Sequence, residues 1–152
     1  MGWQIGIFAL FVVGGLFAIQ GPINAYLASL IGSPLQAALI SFSVGTLVLA
    51  VVCLASGVGL PSARALLKVP PQWFVGGLLG ASVVTTTILM VPRLGIAAVL
   101  LTALAGQLFF SLFLDHFAMI GLPRTPVDIW RVLGVILVIL GACLCNRHHF
   151  LG

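Results

Sequence analysis

The sequence contains almost no acidic side chains: Asp115 and Asp128 are its two carboxylates, and glutamate is absent. General acid–base chemistry by paired carboxylates therefore has almost no material, which argues against a hydrolytic enzyme. A membrane enzyme of another kind would need a nucleophile–base pair or a set of metal ligands, and the apolar stretches show neither. We predict that the chain is not an enzyme.

Cysteine is also scarce, and the three thiols at Cys53, Cys143 and Cys145 all lie in apolar stretches. We interpret them as small hydrophobes rather than as parts of a disulfide framework or a cofactor site. Together with His148 and His149, the last two resemble a metal cluster in composition. Residues two apart on a helix point to different faces, however, so we expect no metal site there.

Basic side chains are few and scattered: six of them give the 152 residues a net charge of +4. A nucleic-acid partner would require a cluster of such charges, so none is expected. Apolar residues fill the chain instead, at 62% of the sequence with a mean hydropathy of +1.33. A surface of this composition belongs in a lipid bilayer.

Five apolar stretches are long enough to cross the hydrocarbon of a bilayer, which takes about 20 helical residues. We predict an all-α membrane protein with a single domain over residues 1–152. Its spans are expected at about 3–29, 34–56, 72–90, 95–114 and 127–146.

Proline and hydroxyl residues mark the expected ends of these spans. Ser33 is a predicted N-cap for the second span and Thr125 for the fifth, each followed directly by proline. In the fifth span Asp128 would then occupy the third helical position. Pro22 is expected to kink the first span, and Pro92 to end the third.

The positions of the tryptophans and of the basic residues indicate how the chain is oriented in the membrane. Trp3, Trp73 and Trp130 each open an odd-numbered span, which puts all three at one membrane interface. The basic residues on that side outnumber those on the other by four to two: Arg64, Lys68, Arg124 and Arg131 against Arg93 and Arg147. If this weak bias decides, the N-terminus is cytoplasmic. If it does not, copies insert both ways and pair as an antiparallel homodimer, the inverted repeat of a ten-helix transporter.

Small residues recur at helical spacing within three spans, where they let helix backbones approach closely in lipid. The rows are Ala37, Ser41 and Gly45; Gly76 and Gly80; and Ala98, Thr102 and Gly106. Gly45, Gly76, Gly80 and Gly106 are therefore candidates for helix packing within the chain or for the face of a dimer.

Polar side chains inside a span are costly unless they face protein or a wet cavity. Gln20 and Asn24 share one face of the first span, and Gln107 lies near the middle of the fourth. Each is a candidate for the substrate path, the alternative being a bond to backbone freed by Pro22 or an amide bond between helices. Ser41 is a further candidate for the path.

Asp115 follows the end of the fourth span, where helix carbonyls already repel negative charge. It needs a partner, which His116, Arg124 or a cation would supply, or else a bound proton. Asp115 and Arg93 are the remaining path candidates, the alternative for both being an interfacial anchor. Asp128 is explained by its cap, and we assign it no function.

Four stretches together resemble the YdcZ-type inner-membrane exporters, a five-helix branch of the drug/metabolite transporter superfamily related to EamA. They are residues 20–25, 92–95, 105–108 and 114–117. The resemblance implies a multi-pass protein of a bacterial inner membrane, working as an antiparallel pair or as half of a fused ten-helix transporter. The motif positions of the family fall here on Gln20, Asn24, Arg93, Gln107 and Asp115.

The sequence lacks the mid-span glutamate by which the related four-helix small multidrug exporters exchange protons for cations, so that mechanism is not transferred. We predict a secondary transporter, an exporter of a small molecule, without a cofactor. Its partners would be the bilayer, its substrate and a second copy or a homologous chain. The alternative is a non-transporting assembly subunit that packs through the face of Gly76 and Gly80.

Overall fold

The structure is a computed structural model that describes residues 2–121 and 123–148, and all regular elements in these ranges are helical. The α-helices are α1 (Gly2–Ile31), α2 (Pro34–Ala55), α3 (Ala63–Leu66), α4 (Val75–Leu94), α5 (Ile96–His116) and α6 (Ile129–Cys145). Single 3₁₀ turns at Pro71–Phe74 and Met119–Gly121 precede α4 and follow α5. The predicted all-α class is confirmed.

Within the part of the chain that the structure describes, four helices are long and apolar enough to cross a membrane. They occupy Trp3–Ile31, Pro34–Ala55, Pro71–Leu94 and Ile96–His116. The fifth apolar helix, α6, has 17 residues and is about 26 Å long at helical rise, slightly short of a typical hydrocarbon thickness. Four to five helices therefore have the dimensions of membrane spans, while the single five-span domain stays a prediction.

The outer surface of the helices is apolar. Phe11 is 79% exposed, Leu30 66%, Leu47 66% and Leu137 68%. Large hydrophobic side chains at this exposure are stable in lipid and would be unfavourable in water. The three tryptophans are also exposed: Trp3 and Trp130 at the starts of α1 and α6, and Trp73 in the 3₁₀ turn before α4.

The chain forms two compact units, Met1–Pro92 and Arg93–Gly152. In the first, α1 packs closely against α2. The core of this contact consists of Ala28, Ala37 and Ala38, and Ile88 of α4 fills the space beside them at 2% exposure. Alanine at these positions allows the close approach of helices that packing in lipid requires.

In the second unit, α5 packs against α6, and the Met119–Gly121 turn packs back on α5. The loop that follows this turn is bonded to the end of α5 by two backbone groups. The Thr125 N–H donates to the Asp115 carbonyl at 3.0 Å, and the Val127 N–H donates to Nδ1 of His116 at 3.4 Å. Ile120 within the turn has a left-handed backbone at φ 57°.

The predicted caps have different outcomes. Ser33 caps α2, its hydroxyl accepting from the Gln36 N–H at 3.3 Å, so that prediction is confirmed. The predicted cap at Thr125 is wrong. Asp128 caps α6 instead, its carboxylate accepting from the Arg131 N–H at 2.9 Å, because the Thr125 backbone is engaged with α5.

The prediction that Pro92 ends the third span is wrong. Helix α4 continues through Pro92 to Leu94, and α1 likewise continues through Pro22 to Ile31. Proline removes one hydrogen bond but has a φ that suits a helix, so helices in lipid tolerate it. The chain turns instead at Gly95, whose φ of 78° favours glycine.

Candidate functional site

The first unit contains a cleft of about 270 Å³, which we call the α1–α2 cleft. It is lined by Gln20 of α1, by Ser41, Phe42, Gly45, Thr46 and Leu49 of α2, and by Val84 of α4. The structure thus brings together two of the predicted path residues, Gln20 and Ser41. Their amide and hydroxyl groups give a largely apolar cleft the capacity to form hydrogen bonds with a solute.

Asn24 lies one helical turn after Gln20 and is 6% exposed, outside the lining of the α1–α2 cleft. Its amide is enclosed by protein rather than by lipid, which is where a polar side chain of a membrane helix is least costly. The position of Asn24 is compatible with both of its alternatives, a structural amide and a residue of the substrate path.

The second unit contains a larger cleft of about 420 Å³, the α5–α6 cleft. Its lining is Leu108, Ser111, Leu112 and Asp115 of α5, with Arg131, Gly134, Val135 and Val138 of α6. Within it, Nη1 of Arg131 donates to Oδ2 of Asp115 at 3.1 Å. The side chains are 38% and 36% exposed, respectively.

Arg131 is the partner that the sequence did not identify for Asp115. His116 is occupied by the Val127 N–H. Asp128 lies three residues before Arg131, but among the described contacts its carboxylate binds only the Arg131 backbone, so the guanidinium is free to reach α5. The signal was available in part, since Asp115 ends one helix and Arg131 begins the next.

The ion pair also offsets two unfavourable helix-end charges. Asp115 is in the last turn of α5, where the carbonyl groups carry partial negative charge, and Arg131 is in the first turn of α6, where the N–H groups carry partial positive charge. Each side chain alone would be destabilised by its own helix. Together they neutralise each other across the contact between α5 and α6.

Arg93 and Gln107 line neither cleft. Arg93 is exposed near the end of α4. Gln107 is exposed one residue beyond the midpoint of α5. An exposed amide halfway along an apolar helix needs a polar partner if that helix lies in hydrocarbon.

The four glycine candidates differ in what surrounds them. A Cβ atom on Gly80 would lie 3.6 Å from the ring of Phe42, so Gly80 packs within the first unit. Gly45, Gly76 and Gly106 have open space at the same position among the described residues. Gly45 borders the α1–α2 cleft, which accounts for its free side.

Most of the hydroxyl groups within the spans are bonded to their own helices. Ser43, Thr46, Ser82, Thr87 and Ser111 each donate to a backbone carbonyl three or four residues earlier, at 2.8 to 3.0 Å. This local bond satisfies a hydroxyl inside an apolar environment. Among the described contacts the Ser41 hydroxyl has no such bond, so it is available to a solute together with the amides and the charged groups.

The cysteines and histidines are dispersed. Cys143, Cys145 and His148 are exposed, and His149 lies outside the described residues. Within residues 2–121 and 123–148, no three His, Cys, Asp or Glu side chains lie close enough to hold one metal ion.

These features together define a multi-pass membrane protein with polar groups in clefts between its helices, the general construction of a transporter. The chain belongs to the DMT_YdcZ family, described as “Putative inner membrane exporter, YdcZ”, whose family model matches residues 5–144. No curated protein and no solved structure matches the chain. The family places the protein in the inner membrane and among exporters rather than enzymes.

Proposed function

We propose that this protein exports a small molecule across the inner membrane as an antiparallel homodimer, with the path enclosed by two oppositely inserted copies. The observation that carries the proposal is the α1–α2 cleft, where Gln20 and Ser41 present hydrogen-bonding groups among membrane helices. The family of the chain, described as “Putative inner membrane exporter, YdcZ”, supports the export part of this proposal. Polar groups in such a position are costly and are typical of solute paths.

The path of the proposed dimer includes six side chains: Gln20, Asn24, Ser41, Arg93, Gln107 and Asp115. Gln107 lies near the middle of its span, and a residue there has the same depth in the bilayer in both orientations of the chain. The two copies of its exposed amide would therefore meet solute or each other near the bilayer midplane. Gly76 and Gly106, which have open sides, are available to the partner helices.

The path is tested by replacing its amides with leucine. Asn24→Leu and Gln107→Leu should each abolish export, because a solute in the proposed path loses a hydrogen-bonding partner among apolar side chains. The measurement compares extracellular metabolites of cells that overproduce each variant, corrected for the amount of protein in the membrane. Gln4→Leu, an exposed amide in the first turn of α1, is the matched control and should export normally.

Undiminished export by both variants would remove these two residues from the path. A second experiment measures transport by purified wild-type protein in liposomes and separates a transporter from an assembly subunit. If it moves no solute that the overproducing cells export, the assembly-subunit alternative is favoured over a transporter.

The antiparallel arrangement is tested by orientation. Reporters active on only one side of the membrane, fused in separate experiments to the C-terminus, should both give signal, because the four-to-two distribution of basic residues biases insertion only weakly. Added lysines in the loop around Arg64 should then fix one orientation and reduce export. A single uniform orientation of the unmodified chain, with no oppositely inserted partner, would contradict the dimer.

A further inference from the structure

The α5–α6 cleft contains a pair of opposite charges, Asp115 and Arg131, whose ligand the proposed function leaves unspecified. Asp128, the other carboxylate of the sequence, is used as a helix cap, whereas Asp115 faces the cleft beside Arg131. We propose that this cleft binds a small zwitterion with an apolar body, its cationic group at Asp115 and its anionic group at Arg131. This inference rests on the proposed function, because Asp115 is one of the path residues and the zwitterion would be the exported solute.

Both charged side chains have unused hydrogen-bonding capacity. They meet through one contact, from Nη1 of Arg131 to Oδ2 of Asp115. A guanidinium carries five N–H donors and a carboxylate has two oxygens, so a ligand can bind the pair without breaking it. About a third of each side chain is accessible.

Charge balance selects the class of ligand. A ligand with a single charge would be attracted to one member of the pair and repelled by the other, and in a partly buried site it would carry a net charge out of water without compensation. A zwitterion adds no net charge and offers an opposite charge to each side chain. Four alternating charges in contact are mutually stabilising, which favours a ligand that carries both signs.

The remaining lining determines the shape and polarity of the ligand. Leu108, Leu112, Val135 and Val138 form apolar walls, and Gly134 has open space where a side chain would otherwise project. The Ser111 hydroxyl donates to the Leu108 carbonyl at 2.8 Å, so it offers a ligand only its acceptor lone pairs. A volume of about 420 Å³ is in the range of small-molecule sites.

The test measures the melting temperature of the purified full-length protein in detergent with matched probes. L-leucine and L-phenylalanine are the zwitterions; isoamylamine carries the ammonium of leucine without the carboxylate, and 4-methylpentanoate carries the carboxylate without the ammonium. A ligand that binds only the folded state should raise the melting temperature by about 5 °C at about one hundred times its dissociation constant. We expect that shift from a zwitterion and from neither analogue.

Two neutralising variants and two matched controls assign the shift to the cleft. Asp115→Asn and Arg131→Gln should each remove it, whereas Asp128→Asn and Arg124→Gln, which change charges outside the cleft, should retain it. Because a neutralising variant can also weaken the fold, its melting temperature without ligand is measured first, and Asp115→Glu, which restores the carboxylate, should recover the shift.

The proposal is overturned if neither zwitterion shifts the wild type, if a singly charged analogue shifts it equally, or if the shift survives both neutralising variants. The ion pair would then act only as a link between α5 and α6. Failure of the proposed function can be distinguished from failure of this inference. A zwitterion that binds the purified protein but is not exported would support the binding site and contradict the transport proposal. Export without binding of either zwitterion would remove this inference alone.

Discussion

Asn146 shows how much a single residue contributes to the packing of the second unit. It is 6% exposed at the end of α6, where its amide donates to Oγ1 of Thr102 at 3.0 Å and to the Ala142 carbonyl at 2.8 Å. The side-chain amide therefore adds a second hydrogen bond to a carbonyl that already accepts from the Asn146 backbone, and it links α6 to α5. The sequence indicated Asn146 only as the approximate end of a span and Thr102 only as a small packing residue.

Replacing Asn146 by alanine should lower the free energy of unfolding by about 1 kcal/mol, the net value of a typical hydrogen bond. A double-mutant cycle with Thr102→Val, followed by thermal unfolding in detergent, should give a coupling of about 0.6 kcal/mol, as measured for bonds between membrane helices. Strictly additive effects of the two substitutions would show that the bond between the side chains contributes nothing.

The charged candidates show which part of a site a sequence can supply. The position of Asp115 at a helix C-terminus was sufficient to predict that it needs a partner, and its contact with Arg131 meets that need. The identity of the partner depends on how α5 and α6 are rotated about their axes. No spacing along the chain specifies that rotation, so neither Arg131 nor the cleft around it was predicted.

At the scale of elements, one predicted helix start was correct and the other was displaced by a contact from outside its segment. Ser33 was identified because an N-cap is a local hydrogen bond between residues close in sequence. Thr125 had the same local pattern, but the loop after α5 uses its backbone in a contact with Asp115 and delays the helix until Asp128. A contact from outside the segment thus overrode a correct local signal.

The turn between α5 and α6 is strained at Ile120. A β-branched residue at a φ of 57° costs about 1–2 kcal/mol relative to an ordinary backbone conformation. Ile120→Gly should therefore raise the free energy of unfolding by about 1 kcal/mol, since Ile120 is 64% exposed and little packing is lost.

Thermal unfolding in detergent is again the measurement, and Ile136→Gly is the control. Ile136 is 45% exposed within α6, where glycine should destabilise the helix by about 1 kcal/mol. An unchanged or lower melting temperature for Ile120→Gly would show that the turn stores no strain.

For the whole molecule, hydropathy alone was sufficient to predict the all-helical class and the approximate number of apolar helices. The reason is physical: in hydrocarbon each backbone polar group must be satisfied within its own segment, which leaves few alternatives to a helix. The packing of helices has no comparable constraint. Gln20 and Ser41 share a cleft and Gly80 contacts Phe42 because of shape complementarity, which the sequence pattern does not encode.

Many serine and threonine hydroxyls donate to carbonyl groups of their own helices, which bears on how this protein can evolve. In the proposed path, the groups that select the solute are therefore a few amides, the Ser41 hydroxyl and one ion pair, because many other hydroxyl groups are bonded to their own helices. Substitution of an exposed amide such as Gln107 is expected to alter selectivity with little effect on folding, whereas loss of one member of the ion pair would also weaken the contact between α5 and α6. Chains that share this architecture are therefore expected to differ in their proposed cargo mainly at these few positions.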